Sequence, residues 1–180
     1  MIAPLEKQFS QVRGMNIRRL GVAFCGSCAV LGALLAPANA TTTTSTFGST
    51  VTITASCQVL SPNTLNFGSN GVLVSNVDTT ATFTVQCTNT TTYNVGLNAG
   101  TTTGGTTTTR LLNNGGTTIA YKMYSDSGHT TNWGNTVSTD TVAGTGNGAQ
   151  QTLTIYGRIA PQSTPAPATY TDTVTVTVTY

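Results

Sequence analysis

Charge is what this sequence has least of: seven Lys or Arg and five Asp or Glu make up only 7% of its 180 residues. There is a single His and a single Trp. A chain so short of positive charge is a poor ligand for nucleic acid or for an anionic membrane surface, because both attractions scale with the cations presented. One His and scattered Asp supply no coordination shell, so no metal or other cofactor is expected. The 3.6-residue period of an amphipathic helix is also missing, whereas two-residue alternation recurs in every apolar stretch. These absences leave an all-β domain whose surface is Thr, Gly and Asn, a composition that suits half-exposed strands better than active sites.

The first forty residues stand apart. Residues 15–40, "MNIRRLGVAFCGSCAVLGALLAPANA", have the basic start (Arg18, Arg19), the apolar run (residues 20–35) and the small-x-small end (Ala38 to Ala40) of a secretory signal. Met15 opens a better proportioned signal than Met1, and the run falls short of the ~20 residues that span a bilayer. Cleavage after Ala40 leaves 140 residues, enough for one domain with a real core. It also removes Cys25 and Cys28. Cys57 and Cys87 remain, and in an oxidising compartment they form the one possible disulfide. The mature part keeps Arg110, Lys122 and Arg158 against Asp78, Asp126, Asp140 and Asp172, and roughly 30% of it is Thr.

Alternation places Phe47, Ser49, Val51, Ile53, Ala55, Cys57 and Val59 on one face of a run too long for one average strand, so it reads as two strands in sequence. Further strands are expected at "ATFTVQCT", "TYNVGLNAG", "TTIAYKMYSD" and "TLTIYGRI", and over residues 170–180, where Val174, Val176 and Val178 alternate with Thr. Residues 101–109, "TTTGGTTTT", read as an exposed mobile loop, and "AGTGNGAQQ" as a Gly-rich connection. Short strands at this spacing with one disulfide argue an immunoglobulin-like β-sandwich. It is incomplete: six strands from residue 54 to 180 leave the edge of the last one open, and an open apolar edge is an aggregation template. A spare alternating strand, residues 42–53, precedes them. Donated to the same groove in a neighbour, it would build a head-to-tail filament.

The elements "ITASCQVL", "LNFG", "FTVQCTN", "YNVGLNAG", "YKMYSDSGHTTNWGN", "QTLTIYGRI" and "YTDTVTVTVTY", in this order, resemble the spore coat protein U domain, the subunit domain of archaic chaperone-usher pili. The resemblance implies a pilin exported through the periplasm to a cell-surface pilus that serves adhesion and biofilm formation. A periplasmic chaperone would lend it a strand, and an outer-membrane usher would exchange that strand for the extension of the next identical or homologous subunit. Residues 41–53 are then the donor extension, with Phe47, Ser49, Val51 and Ile53 as donor residues, and residues 54–180 the pilin domain. Val174, Val176, Val178 and Tyr180 become the acceptor edge. Better known pilins carry an aromatic just before the last residue; here Tyr180 is last, which leaves the register open by one position.

Asp126, Ser127 and His129 are too close on one polar turn to make a catalytic triad, so no enzyme is expected. The Thr-x-Thr register lacks the solenoid repeat of an ice-binding surface, and Asn89-Thr90-Thr91 reads as turn chemistry rather than a glycosylation acceptor. Trp133 with Tyr121, Tyr124 and Tyr156 would form a carbohydrate platform, unless Trp133 covers the end of the core, the reading favoured. The competing functions are a self-contained secreted binding module, with residues 41–53 folded onto their own groove, and a spore-coat-type structural protein.

Overall fold

A computed structural model describes residues 39–180; all but the last two residues of the expected signal segment lie outside it. The chain divides into two units at Gly48 and Ser49. Residues 39–48 carry no helix or strand. The second unit holds eight strands: β1 (Cys57–Leu60), β2 (Val77–Cys87), β3 (Thr92–Leu97), β4 (Arg110–Asn114), β5 (Thr117–Tyr124), β6 (Val142–Thr145), β7 (Gln150–Ile159) and β8 (Val176–Thr179). They form a five-stranded sheet in the order β1-β2-β7-β5-β4 and a three-stranded sheet in the order β6-β3-β8, with every pairing antiparallel. This is the two-sheet, all-β sandwich that alternation implies.

The long strands form where alternation is cleanest. β2 turns Ala81, Phe83, Val85 and Cys87 into the core, and β7 lies beside it in unbroken register from Val77↔Ile159 to Gln86↔Gln150. From the facing sheet β3 contributes Tyr93, Val95 and Leu97, and Leu73, Tyr121, Met123, Trp133, Ile155 and Ile159 complete the cluster. Gly157 lies in this inner layer for want of a side chain: a Cβ there would stand 2.7 Å from Leu65 and 3.0 Å from Phe67. The "LNFG" stretch is thereby tied to the Gly of "YGRI". Its turn is set by Asn66, whose Oδ1 accepts from the Gly68 N–H at 2.8 Å.

Two strands more than the expected six are present, and both were hidden by weak alternation. β4 reads "RLLNN", and its pairing to β5 is set by Gly115-Gly116, whose φ angles of 55° and 91° make the tight hairpin turn. β6 reads "VAGT" and occupies part of the supposed Gly-rich connection. The expected final strand is also shorter. Thr171 bridges to Asn113 beside β4, and only Val176–Thr179 forms a strand, pairing with β3 of the other sheet. Residues 172–175 therefore cross between the layers. The Thr-rich loop is bonded rather than free: Thr106 and Thr109 exchange backbone bonds, and Asp172 Oδ1 accepts from the N–H groups of Thr101 and Thr102.

Cys57 and Cys87 are directly opposite on β1 and β2 and are disulfide-bonded across thirty residues of chain. A bridge closing a loop of that length contributes on the order of 3 kcal/mol. Because β1 has only four residues and one neighbour, the bridge is its main anchor. Replacing Cys87 by Ser is expected to lower the unfolding free energy of the domain by about that amount, seen as a lower urea midpoint, and to expose the β1 amides to hydrogen exchange. An unchanged midpoint would show that β1 is held by packing alone.

Candidate functional site

β1 and β8 are edges of opposite sheets that approach one another without pairing. Each lacks a partner strand on its outer side, and the space flanked by these two free edges is the candidate groove. Its depth comes from alternation: Val59 and Cys57 on β1, and Val174, Val176 and Val178 in the last segment, are half-buried and packed against the core, while Thr175, Thr177 and Thr179 face solvent.

Hydrogen bonding fixes which backbone groups face the gap. Thr175 gives its N–H to Asn98 Oδ1 at 2.9 Å and its carbonyl accepts the Asn98 N–H at 3.1 Å. Thr175 and, two and four residues on, Thr177 and Thr179 therefore bond toward β3. The N–H and C=O groups of Val176 and Val178 point the other way, into the groove. On β1 the Ser56 carbonyl accepts from Thr88 N–H, so Ser56 and Gln58 bond toward β2 and the backbone groups of Cys57 and Val59 face the groove. Both walls thus offer unpaired backbone alongside inward apolar side chains, which is what an added strand requires. Tyr180 continues the phase of the valines but is 59% exposed, beyond the last residue of β8.

The segment singled out as a donor is exposed. Phe47 is 92% exposed, Val51 83% and Ile53 75%, and Ser49 is exposed too. Residues 49–56 form no strand and pair with neither β1 nor β8. A fold-back of residues 49–53 onto their own groove is therefore not the arrangement found.

The aromatic platform is corrected by the structure. Trp133 is 1% exposed, its Nε1–H donates to the Val95 carbonyl at 2.8 Å, and its ring packs against Phe83. Tyr121 is equally buried, and its hydroxyl donates to Asp172 Oδ2 at 2.8 Å. Of the four aromatics only Tyr124 and Tyr156 are partly accessible, as cross-strand partners on the outer face of the five-stranded sheet. A large aromatic at the end of a sandwich gains more from burial than from exposure.

Sequence reasoning missed Arg110, the one fully buried cation among the described residues. Its Nε donates to Asn98 O, Nη1 to Thr107 O, and Nη2 to both Leu97 O and Trp133 O, all within 2.8–2.9 Å. Burial pushes its pKa down, against the pull of Tyr121, Asp172 and Asp140. The only signal available was a lone Arg beginning the apolar stretch "RLL".

The Asp126 turn has no catalytic geometry. Its carboxylate accepts from the N–H groups of Thr130 and Thr131 and from the Thr130 hydroxyl, while the His129 Nε2 lies 3.8 Å from Asp78 instead. Among the described residues no three His, Cys, Asp or Glu gather as a metal site, and no helix is long and apolar enough to cross a membrane. The Thr131 N–H chiefly, with Thr130, lowers Asp126 to about 2. The Arg158 fork lowers Asp78. At Asp172 burial pushes upward, but the Tyr121 hydroxyl and backbone N–H groups outweigh it and the pKa falls. Carboxylates with depressed folded-state values contribute stability that is complete above their ordinary 3.8 and is lost as pH falls through the folded values. The urea midpoint is therefore expected to hold from pH 7 to about 5 and to fall steeply toward pH 2; Asp126→Asn should flatten part of that fall.

A likeness of fold is found in the crystal structure of the CsuC-CsuE chaperone-tip adhesion subunit pre-assembly complex from archaic chaperone-usher Csu pili of Acinetobacter baumannii, at a TM-score of 0.54 and 21% identity. The match covers 72% of this chain and 41% of that one, so this protein spans less than half the length of its structural neighbour. No curated protein matches the chain in sequence. The model of the Spore Coat Protein U domain matches residues 43–177, from ahead of the groove into the first half of β8, and the chain belongs to that family.

Proposed function

We propose that this protein is a structural subunit of a chaperone-usher pilus that polymerises by donor-strand complementation. Residues 41–53 of one copy enter the groove of the next, with Phe47, Ser49, Val51 and Ile53 turned toward its core. The observation that carries this reading is the groove itself: two facing edges, β1 and β8, whose unpaired backbone groups belong to residues with inward side chains. An exposed alternating segment in the same chain is its natural complement. Family membership and the fold of the Csu neighbour support the same reading.

Until the next subunit arrives, the groove needs a temporary strand, the part a periplasmic chaperone plays, and an outer-membrane usher carries out the exchange. Val174, Val176 and Val178 line the accepting wall, and Tyr180 lies where a chaperone contacts the chain end. The product is an extracellular fibre in adhesion and biofilm formation. The donated and accepting surfaces differ, so the contact repeats without closing.

Gel electrophoresis of surface fibres tests this. A ladder that resists detergent and collapses to monomer on boiling is expected, and deletion of residues 41–53 should abolish it. A protein that runs as a monomer before and after boiling would overturn the proposal.

A further inference from the structure

Among the described residues the cationic side chains are Arg110, Lys122, Arg158 and, when protonated, His129. Arg110 is buried and spent on carbonyls. The other three share the outer face of the five-stranded sheet, where Lys122 and Arg158 are direct cross-strand partners. Like charges placed opposite one another destabilise a sheet, and in a chain with so few charges the pairing is a feature to explain. Asp78 offsets only half of it. Arg158 turns Nε and Nη2 onto the Asp78 carboxylate at 2.7 Å each, which leaves its Nη1 without a hydrogen bond and Lys122 without an ion pair among the described residues.

These free donors border a cleft of ≈ 190 Å³. Its lining also includes the small side chains of Ala120 and Ala160, the Tyr124 ring, Thr109 and Gln162. The Tyr124 ring is held from behind by His129, edge-on at 5.3 Å, and Gln162 is fixed by two bonds to the Ala120 backbone. Two of the lining side chains, Tyr124 and Gln162, thus have fixed partners. Its volume lies below the ~300 Å³ at which drug-sized ligand pockets begin, which suits one ring with one charged group.

We propose that this cleft binds the uronate unit of an acidic polysaccharide: Lys122 and Arg158 Nη1 take the carboxylate, and the sugar ring lies against Tyr124. Charge-assisted donors select the acid, and the aromatic wall selects the ring over a flexible acidic side chain. The site is on the outer face, away from the groove, and stands or falls independently of the polymer reading.

The test is an NMR titration of the mature full-length chain with glucuronate, glucose and glutarate. Glucuronate should shift the Lys122, Tyr124 and Arg158 signals with an affinity on the order of millimolar. Glucose and glutarate should each bind about tenfold more weakly, the share of one charged hydrogen bond or of the ring contact. Lys122→Met should lose about tenfold in glucuronate affinity, and Lys122→Arg should keep most of it. Ala120→Leu should fill the floor and abolish binding. Lys122 is exposed, so its variants decide the matter if the Ala120 variant does not fold. Absence of shifts, equal binding of glucose, or unchanged binding by Lys122→Met would each overturn the site. Glutarate binding as tightly as glucuronate would replace the sugar by an acidic peptide and overturn the assignment.

Discussion

Val51→Asp will abolish the detergent-resistant ladder while leaving the melting temperature of the isolated subunit unchanged. The two halves of this result come from one side chain in two settings. In its own chain Val51 is exposed and unpaired, so a carboxylate there costs nothing. In the groove of the next copy it would face the core between Val59 and the valines of the β8 wall. Burying that valine contributes about 1.5–3 kcal/mol, and burying an unpaired carboxylate in its place costs several more. Thr50→Asp is the matched control, because a strand residue one position away points to solvent. It should leave the ladder intact. If Thr50→Asp destroyed the ladder and Val51→Asp spared it, the donor would sit one residue out of phase, and the inward set would be Gly48, Thr50 and Thr52. The same variant should remain a competent acceptor, since its β1 and β8 walls are untouched; mixed with wild-type subunits it should cap chains at one end and shorten the ladder.

The phase of the acceptor was only half legible in the sequence. Alternation put Val174, Val176 and Val178 on one face, which is a property of side chains. It could not tell which of their backbone groups were already engaged, because that depends on a partner strand far away in the chain. Asn98 decides it by holding Thr175 from both sides. The long strands β2 and β7 were readable because each carries its own two-residue pattern over about five repeats. β4 and β6 were not, because their identity comes from tertiary pairing: a glycine turn folds β4 onto β5, and β3 recruits the Gly-containing β6 beneath Tyr93. Trp133 was ambiguous for a related reason. A lone Trp on a polar turn has the same local sequence whether it faces water or the core, and only the Val95 carbonyl waiting for its N–H distinguishes the two. Asp172, one of four scattered Asp residues in the sequence, proves to be where the chain crosses between sheets. It holds the Thr-rich loop with one oxygen and Tyr121 with the other.

Arg110→Met is expected to be the most damaging single substitution in the domain. The guanidinium satisfies four carbonyls from three separate segments: the end of β3, the Thr-rich loop and the Trp133 turn. Methionine matches much of its volume but bonds to none of them. Leaving that many buried acceptors unpaired costs about 3–5 kcal/mol, a large part of the 5–15 kcal/mol typical of a whole domain. Arg110→Lys should rescue little. An ammonium concentrates its donors on one atom, whereas the four carbonyls are spread around a planar fork. Urea unfolding of the two variants checks both points: a midpoint for Arg110→Met close to wild type would mean that water replaces the guanidinium. The consequence reaches the groove. Arg110 holds the Asn98 carbonyl, Asn98 holds Thr175 through its side chain and its N–H, and Thr175 orients the wall formed by Val176 and Val178. Loosening that chain should show first as faster hydrogen exchange at Thr175, Thr177 and Thr179, before the five-stranded sheet opens, and as a lower yield of subunit able to accept a strand. A charge hidden in a nearly uncharged protein thus sets the geometry of an edge it never touches.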